Sequence, residues 1–224
     1  MTFSIAYFDE NTGACGVATA TGSVAVGAFV PHVEAGVGAL TTQGAYTNWL
    51  YGKIGLDRLR NGEDSETVLQ YLINEDAGRE YRQCLIIGRD GSGAGWTGSE
   101  NQQHREIVKA DGIIAGGNLL AEKGVAAAMI DSFQSHPENS IALRLFEALR
   151  QGERAGGDAR GLVSAAVKVD FLDKAPIDIR VDYAPEATLE KLFEVYQHYH
   201  SSPFAEFYAG VPTRTDFSKC GSTA

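Results

Sequence analysis

Residues 2–8 alternate with the period of a β-strand, Phe3, Ile5 and Tyr7 on one side and Thr2, Ser4 and Ala6 on the other. Asn11-Thr12-Gly13 reads as a turn, and Val17–Ala20 returns as a second strand. Further strands are predicted over 23–30 and 36–42, punctuated by Gly22 and Pro31. Helices are predicted over 49–60 and 65–75. The second places Val68, Leu69, Leu72 and Ile73 on one face, with Asp64 or Ser65 as its cap. Residues 84–88 and 93–97 form a hairpin pattern around Arg89-Asp90-Gly91, and 113–116 is one more short strand. The strongest helical stripes follow. Over 122–134 stand Val125, Ala126, Met129, Ile130 and Phe133, and over 140–150 stand Ile141, Ala142, Leu145, Phe146 and Leu149. Strands are expected at 162–169 and 177–183, then a helix over 186–199 with Leu189, Leu192, Phe193 and Tyr196 inward.

Strands joined mostly by hairpins give largely antiparallel sheets, and paired helices must cover them. Two such sheets stacked between helical layers bury every stripe, which predicts an α+β fold with residues 1–200 as one domain. Residues 201–224 read as an irregular arm. Phe204, Phe207, Tyr208, Val211 and Phe217 are too apolar for a solvated end. The arm is expected to pack on a neighbouring subunit, most simply in a twofold homodimer, with folding back on its own domain as the alternative.

Composition narrows the function classes. With 224 residues, 44% hydrophobic and 21% charged, the chain has the make-up of a globular domain. Its net charge of −10 leaves no basic face for nucleic acid and disfavours anionic membrane surfaces. Residues 11–33 lack Asp, Glu, Lys and Arg, but their glycines and Pro31 make them strand and turn rather than a membrane span. Asp9 and Glu10 stand where a secretory leader would carry Lys or Arg, and the three cysteines make no disulfide framework. A cytoplasmic protein is expected.

Gly93-Ala-Gly95-Trp-Thr-Gly98 fits G-x-G-x-x-G, yet a hairpin precedes it and a polar run follows, so no helix N-terminus is in place to receive a pyrophosphate. The five histidines have no metal-ligand spacing, and neither metal nor cofactor is expected. His32, after Pro31 at a strand end, is either a pocket residue or an ordinary turn histidine. Thr2 carries more information. Met1 precedes a small residue, the setting in which an initiator methionine is removed. An N-terminal threonine combines a nucleophilic Oγ with an α-amine of ordinary pKa about 7.7–8.0 that takes its proton. Cys15 offers a rival nucleophile if the chain were cut after Ala14, at the cost of discarding strand 2–8.

Thr2-Phe-Ser-Ile-Ala, Gly16-Val-Ala, Ala25-Val-Gly27, Val30-Pro-His32, Ala35-Gly-Val-Gly38-Ala and Thr42-Gln43 together resemble a mostly bacterial family of uncharacterised proteins grouped with the N-terminal nucleophile (Ntn) hydrolases. Tyr51-Gly52, Gly55-Leu56, Arg82-Gln83, Thr97-Gly98, Gly117-Asn118 and Gly156-Gly-Asp158-x-Arg160-Gly161 extend the similarity to about Tyr183. The resemblance implies a four-layer αββα sandwich and hydrolysis of an amide by Thr2. Proteasome-like relatives tune the amine with an Asp and a Lys, whereas no Asp or Lys stands between Asn11 and Gly52 here. Acyl transfer needs neutral donors where charge develops, which makes Gln43 and Asn118 the candidates to hold the substrate or its oxyanion. Each has a structural reading too, a capped strand end and a buried turn amide. Asp158 and Arg160 either bind substrate charge or pair with each other. The expected activity is that of an Ntn-type amidohydrolase on a small amide or peptide-like substrate. The alternative is a non-catalytic αββα binding or assembly protein.

Overall fold

A computed structural model describes residues 2–101 and 104–221. Asp9 shapes the first turn: its carboxylate accepts from Asn11 N at 3.0 Å and from Thr12 Oγ1 at 2.8 Å, so β1 (Thr2–Phe8) folds back into β2 (Cys15–Thr21). The remaining strands are β3 (Pro31–Glu34), β4 (Gly38–Gly44), β5 (Arg82–Gly88), β6 (Gly93–Thr97), β7 (Glu106–Ala110), β8 (Ile113–Asn118), β9 (Ser164–Asp170) and β10 (Ile177–Val181). They form a six-stranded sheet, β10-β9-β2-β1-β8-β7, and a four-stranded sheet, β3-β4-β5-β6. Every strand pairing is antiparallel. β1 is an interior strand flanked by β2 and β8, as its two non-polar faces require.

Seven helices complete the described residues: α1 (Val26–Phe29), α2 (Leu50–Arg60), α3 (Ser65–Glu75), α4 (Val125–Ser135), α5 (Ile141–Arg154), α6 (Thr188–Tyr199) and α7 (Phe204–Gly210). Asp64 caps α3 by accepting from Thr67 N, and Ser140 caps α5 by accepting from Leu143 N. The stripes of α4 and α5 pack on the β1, β2 and β8 side chains Phe3, Ile5, Ala18, Ala20, Ile113 and Ala115. The stripe of α3 packs with Tyr51 and Leu59 of α2 on Leu40, Cys84 and Ile86 of the smaller sheet. A third apolar layer, with Ala6, Phe8, Cys15, Val17, Ala39, Leu85, Ile87 and Ile114, lies between the sheets. In order of contact the molecule runs helix pair, sheet, sheet, helix pair.

Three expectations are corrected. Residues 23–30 are not a strand. Ala25 adopts the left-handed region (φ 56°), Val26 N donates to Ser164 Oγ, and the short helix α1 follows. The alternating apolar residues there find no sheet face, and Val24 and Phe29 stay exposed. β7 was not predicted, because this edge strand buries no residue fully and so lacks a clean alternation. The arm is also more ordered than its composition suggests. α7 sits against α6, Tyr208 OH donates to Ala175 O, and Arg214 Nη2 donates to Asp170 Oδ2 at 2.5 Å, so residues 201–221 fold back on their own domain. Among the described residues no helix is long and apolar enough to cross a membrane.

Candidate functional site

The layer between the sheets changes character along the strands. Toward the β1–β2 hairpin it is apolar. At the start of β1 the same inward face carries Thr2 and Ser4, opposite Thr19 and Thr21 of β2, Asn118 of β8, Thr41 and Gln43 of β4, Gln83 of β5 and Thr97 of β6. Register explains the grouping. Thr2 pairs with Asn118 and Ser4 with Thr19 in one sheet, while Gln83 pairs with both Gln43 and Thr97 in the other. Two rows of polar side chains therefore meet face to face inside the protein.

Burial without partners would cost about 1–3 kcal/mol per group, and here the groups satisfy one another apart from Thr41, whose buried Oγ1 has no hydrogen-bond partner. Gln43 Nε2 donates to the Thr2 carbonyl at 3.2 Å and to Gln83 Oε1 at 2.7 Å. Gln43 Oε1 lies 2.6 Å from Ser4 Oγ, which lies 2.8 Å from Thr19 Oγ1. Gln83 Nε2 donates to Thr97 Oγ1 at 2.8 Å and to Gly117 O at 2.9 Å, and Gln83 Oε1 also accepts from Asn118 Nδ2 at 2.9 Å. Thr2 Oγ1 lies 3.3 Å from Thr21 Oγ1, and Thr2 as a whole is 6% exposed. The network consists of hydroxyls and amides. None of these side chains ionises near neutral pH.

A glycine-rich strap crosses the start of β1. Asp158 Oδ2 accepts from Gly22 N at 2.6 Å, just beyond β2, while Ala121 N donates to Gly157 O and Ala159 N to Leu119 O, just beyond β8. The loop 156–161 thus ties together the two strands that flank Thr2. Gly157 (φ 51°) and Gly161 (φ 80°) supply left-handed turns that other residues adopt only with strain. Arg160 donates to the fully buried Asp158 carboxylate at 3.1 Å and to Ser23 Oγ at 3.2 Å.

The structure brings Thr2, Gln43 and Asn118 into one network, with Asp158 and Arg160 in the strap beside it. Asp158 and Arg160 form an ion pair that holds the strap. Gln43 has both amide hydrogens engaged within the protein, which makes it a scaffold of the site. His32 lies elsewhere: it pairs with Leu40, which faces the α2–α3 core, and a Cβ on Gly52 of α2 would sit 2.2 Å from its ring. Its Nε2 lies 3.2 Å from Phe29 O, and burial holds its pKa below the ordinary value. His32 is a packing residue against α2. Cys15 is at the far end of β2, paired with Phe8 and Asp170. Burial, reinforced by Asp170, pushes its thiol up to about 12, so it is no nucleophile at neutral pH. Gln83, the centre of the network, was not among the sequence candidates. Its signal was a lone amide at a strand start in register with Gln43. Among the described residues no group of three or more His, Cys, Asp or Glu could hold a metal ion.

Residues 2–192 match the sequence model of a family of unknown function, DUF1028. The chain belongs to this family. A crystal structure of a DUF1028 protein from Silicibacter pomeroyi is 34% identical, with a TM-score of 0.92 over 99% of each chain. No curated protein matches the chain. The DUF1028 match includes every member of the polar network and the strap, and it stops within α6. The structural likeness reaches further, so the Silicibacter pomeroyi DUF1028 protein has a counterpart of the arm as well.

Proposed function

We propose that the protein is an Ntn-type amidohydrolase, built on an αββα sandwich of that superfamily, that cleaves a small amide or peptide-like substrate with Thr2 as nucleophile and base. The observation that carries this reading is the placement of Thr2. It opens an interior strand, and its hydroxyl lies in a network of side chains that cannot act as a base. Proton transfer from Oγ then falls to the Thr2 α-amine, freed by removal of Met1, which lies outside the described residues. Gln43 fixes the Thr2 carbonyl and hence the backbone that bears the nucleophile. Asn118, paired with Thr2 across the strands, is the neutral donor placed to stabilise a developing oxyanion. The strap of Asp158 and Arg160 closes over the start of β1 and bounds the substrate.

Two observations favour the second reading, a binding or assembly protein on the same fold. The Thr2 hydroxyl already has a partner in Thr21, and no Lys or Asp stands in the network to tune an amine. Untagged protein decides between them. The amidohydrolase reading expects an intact mass lacking Met1 and turnover in a screen of amides, ureas and short peptides. Thr2→Ala should abolish that turnover, Thr2→Ser should keep part of it, and an uncleavable extension before Thr2 should be as damaging as Thr2→Ala. Retention of Met1, or activity unchanged by Thr2→Ala, would overturn the reading.

A further inference from the structure

At the other end of β1, on the face of the larger sheet that α4 and α5 cover and remote from Thr2, the chain lines a partly open cavity of about 740 Å³. Five segments wall it: the β1–β2 hairpin, the turn into α5, the β9–β10 loop, the end of α6, and α7. Its volume is in the range of small-molecule sites, ~300–1,000 Å³. The walls are largely apolar, formed by Ile141, Phe171, Leu172, Ile177 and the rings of Tyr7 and Tyr208.

Arg144 gives this cavity its chemistry. The side chain is half-buried, and among the described residues it joins no ion pair. Its Nε donates to Phe133 O at 2.9 Å, and the guanidinium lies 4.0 Å from the Phe133 ring centroid and 5.5 Å from that of Tyr7. The cation is therefore fixed in the wall, and among the described residues no carboxylate stands within ion-pair distance; Glu138, paired with His136, feels its charge from farther off. Of the acidic groups that line the cavity, Asp9 uses both carboxylate oxygens in the hairpin turn, and Asp173 is exposed beside Lys174. Burial, with Asp9 adding to it, holds the Tyr7 phenol above its ordinary pKa, so its hydroxyl stays protonated next to Arg144.

A guanidinium held over the Phe133 ring is suited to a carboxylate, while the walls require an apolar body. We infer that this cavity binds a small organic acid with an aromatic or branched aliphatic body, its carboxylate held by Arg144. This site is separate from the Thr2 network and does not depend on the reaction proposed there.

Isothermal titration of the full chain with phenylacetate, phenylacetamide and phenethylamine tests the inference. Phenylacetate should bind with a Kd below about 1 mM, and the amide and the amine at least about tenfold more weakly. Arg144→Met keeps an apolar stem over Phe133 but removes the charge, and should weaken phenylacetate about tenfold or more. Leu172→Glu, at an exposed position of the wall, brings in a repelling carboxylate without touching the core and should weaken the acid but not the amine. It decides the matter if the Arg144 variant fails to fold. No binding of phenylacetate at about 10 mM, equal binding of acid and amide, or acid binding unchanged by Leu172→Glu would each overturn the proposal.

Discussion

Gln43 and Asn118 both sit in the buried network, yet replacing them should have opposite signatures. Gln43 connects Ser4, the Thr2 carbonyl and Gln83, so Gln43→Leu removes three buried hydrogen bonds at once and puts an apolar side chain among polar groups. We expect it to cost about 2–3 kcal/mol of stability, read as a lower urea midpoint with an unchanged slope. Asn118 shares Gln83 Oε1 with Gln43, so that acceptor keeps a donor when Asn118 is removed. Asn118→Ala should therefore cost only about 1 kcal/mol. If Asn118 is the oxyanion donor, the same variant should lower kcat by about 10²–10³. Equal stability losses in the two variants would contradict this division of roles. Thr2 stood out in the sequence because Met1 precedes a small residue, and Gln43 and Asn118 because the family resemblance implied acyl transfer, which needs neutral donors. Gln83 could not be ranked above them, since its importance arises from cross-sheet facing, which no local window contains. His32 misled for the converse reason. It lies in the right segment, but strand alternation turns it toward Gly52 and away from Thr2.

Helices α2 and α3 are joined to β5 by a single carboxylate. Asp76, just past α3, accepts from Asn48 Nδ2 at 3.0 Å, Tyr51 OH at 2.9 Å, Gly78 N at 2.7 Å and Arg82 Nε at 2.9 Å. Burial alone would raise its pKa. The hydrogen bonds from Arg82, Asn48, Gly78 and Tyr51 outweigh burial and hold the carboxyl well below the usual carboxylate range. A folded-state pKa below the unfolded value of about 3.9 makes the stabilisation fully present at neutral pH. It is then lost progressively as pH falls below about 5. Asp76→Asn should remove this component, flattening the acid limb of a pH–stability curve and costing about 3 kcal/mol at neutral pH. An acid limb identical to that of the wild-type chain would show that other carboxylates govern it. None of this hub was visible in the sequence, because its partners are spread from Asn48 to Arg82 and follow no period. The helices it joins were visible, since burial against one sheet face imposes a 3.6-residue stripe on α3, α4 and α5. α1 has four residues and could not carry such a stripe.

At the scale of the whole molecule, the two sheets and their helical covers were legible because hairpin spacing dictates antiparallel neighbours and each stripe demands a face to bury. Which end of the interior strand carries polar chemistry followed only from the pairing of β1 with β8. The arm is where composition and structure diverge. Its Tyr208 and Arg214 reach back to Ala175 and Asp170, which accounts for part of its apolar content. Phe207 and Phe217 remain 63% and 91% exposed, two large aromatic rings in water on a segment otherwise held in place. Solution dimerisation through these rings would cover them, and a twofold contact would bury both sets at once. We therefore expect light scattering at micromolar concentration to give about twice the 24.0 kDa chain mass. Replacing both rings, Phe207→Ser with Phe217→Ser, should yield a monomer, because neither side chain supports the core of its own domain. Arg214→Ala should loosen the arm from Asp170 and make the chain more susceptible to limited proteolysis after α6, while the domain stays folded around Ala35 N and Phe171 N, the other donors to Asp170. A monomeric wild-type chain would assign the exposed rings to some other role and leave the fold-back as the whole function of the arm.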